Sequence, residues 1–283
     1  MFEFTTAGFG LAVLPIVLAV ARLLRRPRVL PALPEPPSEA APALPATPAP
    51  ERPPGSVPLY AMWGGEWRVV DWRANPLEVV PLHPGVAGEL VTDARAFLAD
   101  GARRARLGLP NRRVYLLFGP AGSGKASLAL GVAAALERKL YVVDPIRDFL
   151  NELGLLYELS NAPDDGVVLV MLREGPQRGG MLTREGLARA MERLPVGKGL
   201  LVVVTVQAEW PDPGLLGESL PDRALYVGPV ERERARALYE SFHPGAPAGA
   251  AERFAAAVPE ACLTARRLLA LVSEDPEPWR AGG

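Results

Sequence analysis

Residues Gly119–Ser127 read G-P-A-G-S-G-K-A-S, and this stretch sets the fold class of the chain. It follows the phosphate-binding loop (P-loop) signature G-x-x-x-x-G-K-[ST] up to the last position, where Ala126 replaces the hydroxyl residue. In such a loop the backbone N–H groups converge on phosphate oxygens, and the lysine, here Lys125, reaches the β- and γ-phosphates. We therefore assign the whole loop to a site for ATP or ADP: Gly119, Pro120, Ala121, Gly122, Ser123, Gly124, Lys125, Ala126 and Ser127.

The residues on either side of the loop predict the strand–loop–helix order of a P-loop NTPase. An apolar strand is predicted at 113–118 and a helix at 125–138. Farther along, apolar strands alternate with helices, which predicts an α/β fold with a parallel sheet covered by helices on both faces. The remaining predicted elements are strands at 140–143, 167–172 and 200–206 and helices at 87–100, 148–159 and 184–194.

Two smaller units are predicted beside this α/β body. Before it, residues 59–72 include W-G-G and V-V, which indicate a short hairpin. After Pro229 the pattern is helical and contains no strand signal. The predicted helices at 231–242, 250–258 and 264–272 would form a small helical lid.

The sequence has the residues expected to bind phosphate but lacks some of those expected to coordinate Mg²⁺. Ala126 stands where a Ser or Thr hydroxyl normally coordinates Mg²⁺. Ser127 comes one residue too late, roughly 100° around the helix. The predicted strand 167–172 runs into Arg173 and Glu174 without a carboxylate directly at its end. Nucleotide binding is therefore expected, Mg²⁺ coordination is in doubt, and we assign no metal ligand.

Several motifs beyond the loop keep the order and spacing of one known family. They are N-P-L-E-V-V at Asn75–Val80, H-P-G-V-A at His83–Ala87, L-P-N-R-R-V-Y-L-L-F-G-P-A-G-S-G at Leu109–Gly124, and Y-E-S-F-H-P-G at Tyr239–Gly245. In these motifs the chain resembles the AAA family, in particular the membrane-anchored mitochondrial chaperone that translocates the Rieske iron–sulfur protein and its bacterial relatives. The resemblance implies an AAA-type fold, a ring-shaped oligomer and a protein client.

The resemblance also implies where catalytic residues would lie. The family's paired acidic residues fall on Met171 and Leu172, and its next acidic position falls on Glu174. Its sensor asparagine falls on Gln207, and of its arginine-finger stretch only Arg223 matches. These replacements remove groups that bind metal or orient water, so we expect weak or absent hydrolysis. Glu174, Gln207 and Arg223 remain the possible catalytic residues.

The N-terminal segment predicts a membrane anchor followed by a tether. Residues 4–24 begin with an uncharged apolar run close to the ~20 residues that span a bilayer. Basic residues follow this run, which favours a cytoplasmic body. Residues 25–58 are rich in Pro and Ala, a composition typical of extended linkers. We therefore predict a single-pass membrane protein with an anchor at 4–24, a linker at 25–58, a short β segment at 59–74, an AAA-type nucleotide-binding domain at 75–230 and a helical lid at 231–275.

Composition excludes some classes of function, and three hypotheses remain. A net charge of −1 gives no general attraction to nucleic acid, and one Cys with two His leaves no zinc pattern. The preferred reading is a chaperone-like or regulatory subunit of a homo- or hetero-oligomeric ring that binds nucleotide. The second is an active AAA ATPase that remodels or translocates a protein, using Glu174 or Asp144 in a displaced geometry. The third, nucleic-acid binding, is least favoured because its arginines more simply form a solvated helix face and an interface: Arg103, Arg104, Arg106, Arg112 and Arg113.

Overall fold

The computed structural model describes the chain from the predicted hairpin onward. The described residues are 56–76, 83–109, 111–164, 166–172, 182–194, 199–209, 215–217, 219–260 and 263–274. The predicted anchor at 4–24 and the linker up to residue 55 lie outside this set, as does Glu174. Within the described ranges, no helix is both long enough and apolar enough to cross a bilayer.

The strands confirm the predicted α/β class with a mostly parallel sheet. They are β1 (Ser56–Trp63), β2 (Glu66–Ala74), β3 (Arg112–Phe118), β4 (Lys139–Val143), β5 (Gly166–Met171), β6 (Leu200–Val206) and β7 (Arg223–Tyr226). Among the described residues they form a seven-stranded sheet in the order β2-β1-β4-β5-β6-β3-β7. The β1–β2 pair is antiparallel, and the other described pairs are parallel.

Helices cover both faces of the sheet, as the continuous apolar strands predict. Strand β3 shows the arrangement, because Tyr115 and Leu117 pack on one face while Val114 and Leu116 pack on the other. The helices are α1 (Pro84–Ala99), α2 (Gly101–Arg106), α3 (Lys125–Ala135), α4 (Glu152–Asn161) and α5 (Arg184–Glu192). Helices α1 and α3 cover the face of Leu117, and α4 and α5 cover that of Leu116. The short helix α2 was not predicted.

The ends of the sheet differ from the prediction in two ways. The predicted hairpin is present as β1 and β2, but it begins at Ser56, so the linker predicted to reach residue 58 ends earlier. It also extends the main sheet, because β1 pairs with β4. The opposite edge strand, β7, has only four residues and was not predicted.

The C-terminal residues fold as the predicted group of helices. They are α6 (Arg232–Phe242), α7 (Ala250–Ala257) and α8 (Ala265–Glu274). Their apolar sides share a core that includes Leu238, Phe254 and Leu268. Because this core is separate from the two sheet cores, the helices form a distinct layer, which we call the lid.

Candidate nucleotide-binding site

The P-loop lies at the carboxyl edge of the sheet, between β3 and α3. Strand β3 has a neighbour on each side, β6 and β7, so the loop leaves the sheet from an interior strand. Helix α3 begins at Lys125, directly after Gly124. No side chain caps this helix, so its first N–H groups are left to face the loop and whatever it binds. The carboxyl ends of parallel strands and helix N-termini are common sites for phosphate.

Two glycines give the loop a shape that other residues could not adopt. Gly122 has φ +77 and Gly124 has φ +104, both in the left-handed region that favours glycine. A Cβ on Gly122 would lie 3.2 Å from Cβ of Arg266, and a Cβ on Gly124 would lie 3.3 Å from Cβ of Ala265. A side chain at either position would therefore crowd the first residues of the last helix.

Lys125 lies at the centre of this loop. Its Nζ donates to the carbonyl oxygens of Gly119 and Pro120, at 2.8 and 2.7 Å, and to Oγ of Ser123 at 3.2 Å. The residue is 7% exposed, and burial lowers the pKa of its ammonium group. A partly desolvated cation inside a ring of backbone groups fits the phosphates of a nucleotide, which would strengthen the charged form of the lysine.

His83 contacts the P-loop through a hydrogen bond, a role that the sequence pattern alone did not indicate. Its Nε2 lies 2.7 Å from the carbonyl oxygen of Ser123, and because that oxygen only accepts, the ring donates from Nε2. Burial lowers the pKa of His83, and the hydrogen bond to Ser123 partly opposes this effect. His83 directly precedes α1, so it connects this helix to the loop. The H-P-G sequence just before a predicted helix was the available signal.

The lid contacts the loop through the first residues of α8. The backbone N–H of Arg266 donates to the carbonyl oxygen of Gly122 at 3.1 Å. Within the lid, Val230 N donates to the carbonyl oxygen of Leu263 at 2.6 Å, and both residues belong to the lid core. The start of α8 is thereby fixed against the phosphate-binding loop.

The residues around the loop do not provide a normal Mg²⁺ site. Ala126 lies exposed in the first turn of α3 and contributes only a methyl group. At the end of β5, Met171 is half-buried, and Leu172 uses its N–H to bind the carbonyl oxygen of Thr205 at 2.8 Å. Within the described part of the chain, no group of three or more His, Cys, Asp or Glu side chains could hold a metal. Among the described residues, the donor set therefore does not fit Mg²⁺.

Asp144, the displaced acid of the second reading, lies too far across the sheet to replace the missing ligands. It follows β4, which is three strands from β3, or about 14 Å at ~4.8 Å per strand. Its Oδ1 also accepts hydrogen bonds from the N–H groups of Ile146 and Arg147, at 3.2 and 3.1 Å. This carboxylate stabilises the turn after β4.

Gln207, by contrast, lies beside the P-loop. It comes directly after β6, and the last pair of the β3–β6 ladder is Phe118 with Val206. The residues that follow the two strands, Gly119 and Gln207, therefore leave the sheet side by side at its carboxyl edge. Gln207 therefore stays a possible site residue, as the resemblance implies.

Arg223 lies away from the loop of its own chain. It pairs with Tyr115 in the sheet, four residues before Gly119 and so about 13 Å from it at ~3.3 Å per residue. Its guanidinium forms ion pairs with Asp93 at 3.1 Å and Glu89 at 3.2 Å, both on α1. Arg223 therefore connects β7 to α1.

The third hypothesis, nucleic-acid binding, depended on a cluster of five arginines. Most of these arginines make contacts within the chain. Arg113 forms a bidentate pair with Asp93, with distances of 2.9 and 2.8 Å. Arg112 donates to the carbonyl oxygens of Glu192 and Leu194. Contacts of this type also involve Arg103, which pairs with Asp100, and Arg104, which lies over the ring of Phe97. These contacts agree with the interpretation of the cluster as a helix face and an internal interface, and nucleic-acid binding stays the least favoured hypothesis.

The chain is similar in sequence to a group of mitochondrial chaperones. The mitochondrial chaperones BCS1 of Bos taurus and Homo sapiens are each 30% identical to the chain over 218 residues, which cover 71% of this chain and 52% of the relative. The chain is a homologue of these AAA-family chaperones. The probable mitochondrial chaperone bcs1 of Schizosaccharomyces pombe is 28% identical over 202 residues, covering 67% of this chain and 45% of the relative. The predicted resemblance is therefore confirmed.

The extent of the match is partial. The chain spans about half the length of the curated relatives it matches. No family model matches the chain. Among solved structures, the RuvB Holliday junction branch migration motor of Thermotoga maritima is 19% identical with a TM-score of 0.49, covering 70% of this chain and 62% of that one.

Proposed function

We propose that this chain is a nucleotide-binding, chaperone-like AAA protein that holds ATP or ADP and hydrolyses ATP weakly or not at all. The observation that carries the proposal is the contrast at one site. The glycines of the loop and the buried Lys125 are in place, whereas Ala126 and Met171 stand where metal ligands would be needed. Binding and hydrolysis require different groups, so one can persist without the other.

The expected loss of rate supports the distinction between nucleotide binding and hydrolysis. Removing one preorganised group that stabilises charge in a transition state typically costs ~10²–10³ in rate. Here the hydroxyl at Ala126 and the acidic pair at Met171 and Leu172 are replaced together, which would leave little turnover above background. Phosphate binding relies on loop N–H groups, the N-terminus of α3 and Lys125, and none of these requires metal.

The wider role follows from the relatives and from the N-terminal sequence. The relatives are named as chaperones, which supports a protein client, and AAA relatives favour a homo- or hetero-oligomeric ring. The anchor at 4–24 would place the chain in a membrane with its body on the cytoplasmic side. A ring that binds nucleotide without rapid turnover would serve as a holding or regulatory assembly.

A binding titration combined with a turnover assay tests the proposal. The full-length chain in detergent should bind ATP and ADP in a calorimetric titration, and Lys125→Ala should abolish the binding heat. Phosphate release should stay at the level of the Lys125→Ala control. Arg95→Ala provides a matched loss of one positive charge, because Arg95 binds the carbonyl oxygen of Ala135 away from the loop, and it should bind ATP as the wild type does.

The second reading, an active ATPase, retains support from the position of Gln207 beside Gly119. In that reading Glu174 supplies the missing carboxylate. It predicts steady Mg²⁺-dependent phosphate release that both Lys125→Ala and Glu174→Gln reduce, with ATP binding retained in the Glu174 variant. Turnover that is unaffected by these changes would eliminate this reading.

A further inference from the structure

Helix α2 and the turn after it expose a surface that is both basic and apolar. The helix buries none of its residues, so packing against the core does not explain its sequence. Residues 100–109 read D-G-A-R-R-A-R-L-G-L and set three arginines against one carboxylate. In the turn, Leu107 is 60% exposed and Leu109 is 45% exposed. We call residues 103–109 the basic–apolar turn.

The arginines of the basic–apolar turn are only weakly engaged within the chain. The side chain of Arg103 is 68% exposed, and its ion pair with Asp100 is 3.5 Å long. Arg106 is exposed, and Arg104 lies over the ring of Phe97 at 5.2 Å. Positive charge is favourable near the C-terminus of a helix, which makes the arginines compatible with α2. It does not account for the two exposed leucines beside them.

The basic–apolar turn lies at the amino edge of the sheet, where β1 also begins. One row of paired residues crosses the sheet from β1 to β3: Leu59, Leu140, Val167, Leu201 and Arg113. Ser56 precedes this row by three residues in β1, and Leu109 precedes it by four residues before β3. Both therefore lie on the amino side of the row, on strands about 19 Å apart at ~4.8 Å per strand.

This position relates the basic–apolar turn to the proposed membrane anchor. The anchor at 4–24 comes before Ser56 in the chain, and β1 begins at Ser56. A bilayer that holds the anchor would therefore be tethered to the edge of the sheet that carries the arginines and leucines. The P-loop lies at the opposite, carboxyl edge.

The chemistry of the basic–apolar turn fits the surface of an anionic bilayer. Anionic head groups of a cytoplasmic leaflet attract basic segments close to the membrane. Leucines beside these arginines bury apolar area at the boundary between head groups and acyl chains. Nucleic acid would engage the arginines alone, because single strands stack their bases on aromatic rings and residues 100–109 contain none.

We infer that the basic–apolar turn binds an anionic lipid surface, with Arg103 and Arg106 on the head groups and Leu107 and Leu109 at the acyl boundary. The inference rests on the membrane placement in the proposed function, but it does not require nucleotide binding. It goes beyond that placement by giving the folded body a lipid-binding surface of its own. The P-loop would then face away from the bilayer.

A polarity-sensitive dye on the full-length chain tests this inference. Cys262→Ser removes the one cysteine, and Ala105→Cys places the dye at an exposed position of α2 while keeping every arginine and leucine. This labelled parent chain is reconstituted into vesicles of phosphatidylcholine, with or without phosphatidylserine. Its emission should shift to shorter wavelength only with phosphatidylserine. Raising salt from about 0.1 M to about 1 M should reverse most of the shift, because the Debye length falls from about 10 to about 3 Å.

Two pairs of substitutions test whether the arginines are responsible. Arg103→Gln with Arg106→Gln should lower the ratio of bilayer-bound to free dye by about 10- to 30-fold. Arg236→Gln with Arg253→Gln removes the same charge from exposed positions of the lid and should keep the shift of the parent chain. Thermal unfolding of each variant checks that the fold persists.

The leucines and a second dye position distinguish bilayer contact from other binding. Leu107→Ser with Leu109→Ser should lose most of the emission shift. The dye at Phe149→Cys, which is exposed in the turn after β4 at the carboxyl edge, should show no shift. Equal shifts at Ala105 and Phe149 would overturn the inference, because they would indicate general adsorption. Salt-sensitive binding of labelled DNA without any lipid effect would overturn it in favour of nucleic acid.

Flotation of the same preparations separates this inference from the membrane placement. If the chain floats with phosphatidylcholine vesicles but the dye at Ala105 shows no shift with phosphatidylserine, the inference fails and the placement stands. If the chain floats only with phosphatidylserine present, and Arg103→Gln with Arg106→Gln abolishes this, the anchor fails and the inference stands. If it floats with neither kind of vesicle, both fail.

Discussion

Glu158 provides a quantitative test of the structure that does not depend on ligand binding. This α4 side chain is 6% exposed, and its Oε2 has no hydrogen-bond partner within the described residues. Burial, assisted by the nearby charge of Asp148 and opposed by Arg147, raises the pKa of Glu158 from 4.5 to about 7. The folded chain therefore holds a proton on Glu158 at pH values where the unfolded chain has released it.

The sign and size of the effect on stability follow from this difference. Between pH 4.5 and about 7 the folded state binds more protons than the unfolded state, so stability falls as pH rises through this window and levels off above it. At ~1.4 kcal/mol per pKa unit, the full effect is about 3 kcal/mol. Glu158→Gln removes this titrating group, so the variant should lose this contribution to the pH dependence and be about 3 kcal/mol more stable than the wild type at pH 8.

Denaturant unfolding of the full-length chain at pH 5 and pH 8, followed by tryptophan fluorescence, measures this effect. Glu260→Gln, a change at an exposed glutamate, serves as the matched control and should follow the wild type at both pH values. Equal pH dependence in the wild type and Glu158→Gln would refute the reasoning. A Glu158→Gln variant that is less stable than the wild type at pH 8 would do so as well.

The remaining predictions concern the loop and the ion pairs beneath it. Gly122→Ala should weaken ATP binding and lower the melting temperature, because its Cβ would press on the start of α8 at a left-handed φ, whereas Gly88→Ala, in open space on α1, should not. His83→Ala should reduce ATP affinity by about fivefold to tenfold in calorimetry, since a net hydrogen bond is worth ~1 kcal/mol and His83 orients the loop at Ser123. Asp93→Asn should destabilise the chain by about 2 kcal/mol in denaturant unfolding, because Asp93 accepts from two arginines and a tyrosine, while Asp100→Asn should cost less than ~0.5 kcal/mol.

Elements with a strong local pattern were predictable from the sequence. Strand β6 is an unbroken run of apolar residues, Leu200–Val206, and its predicted bounds agree with the structure. Strand β7 was missed because R-A-L-Y has two exposed residues at its start and only four residues in all. Its strand conformation depends on pairing with β3, which is distant in sequence. The placement of β1 beside β4 has the same origin and could not be predicted from local pattern.

The candidate site shows the same division between local and long-range information. The loop could be assigned because its residues are consecutive and each has a chemical reason to be there. The contact between His83 and Ser123, and the contact between Arg266 and Gly122, join segments far apart in the chain. No periodicity or motif specifies such contacts, although the sequence marks both places, with the H-P-G motif at His83 and with Arg266 and Arg267 at the start of the last predicted helix.

The central claim is that the P-loop binds nucleotide while the site lacks the groups for hydrolysis. The most direct measurement follows ATP binding and phosphate release on the same preparation of the full-length chain in Mg²⁺, with Lys125→Ala in parallel. We expect saturable ATP binding that Lys125→Ala abolishes, together with phosphate release no faster than in that variant. Steady phosphate release by the wild type that Lys125→Ala eliminates would contradict the account.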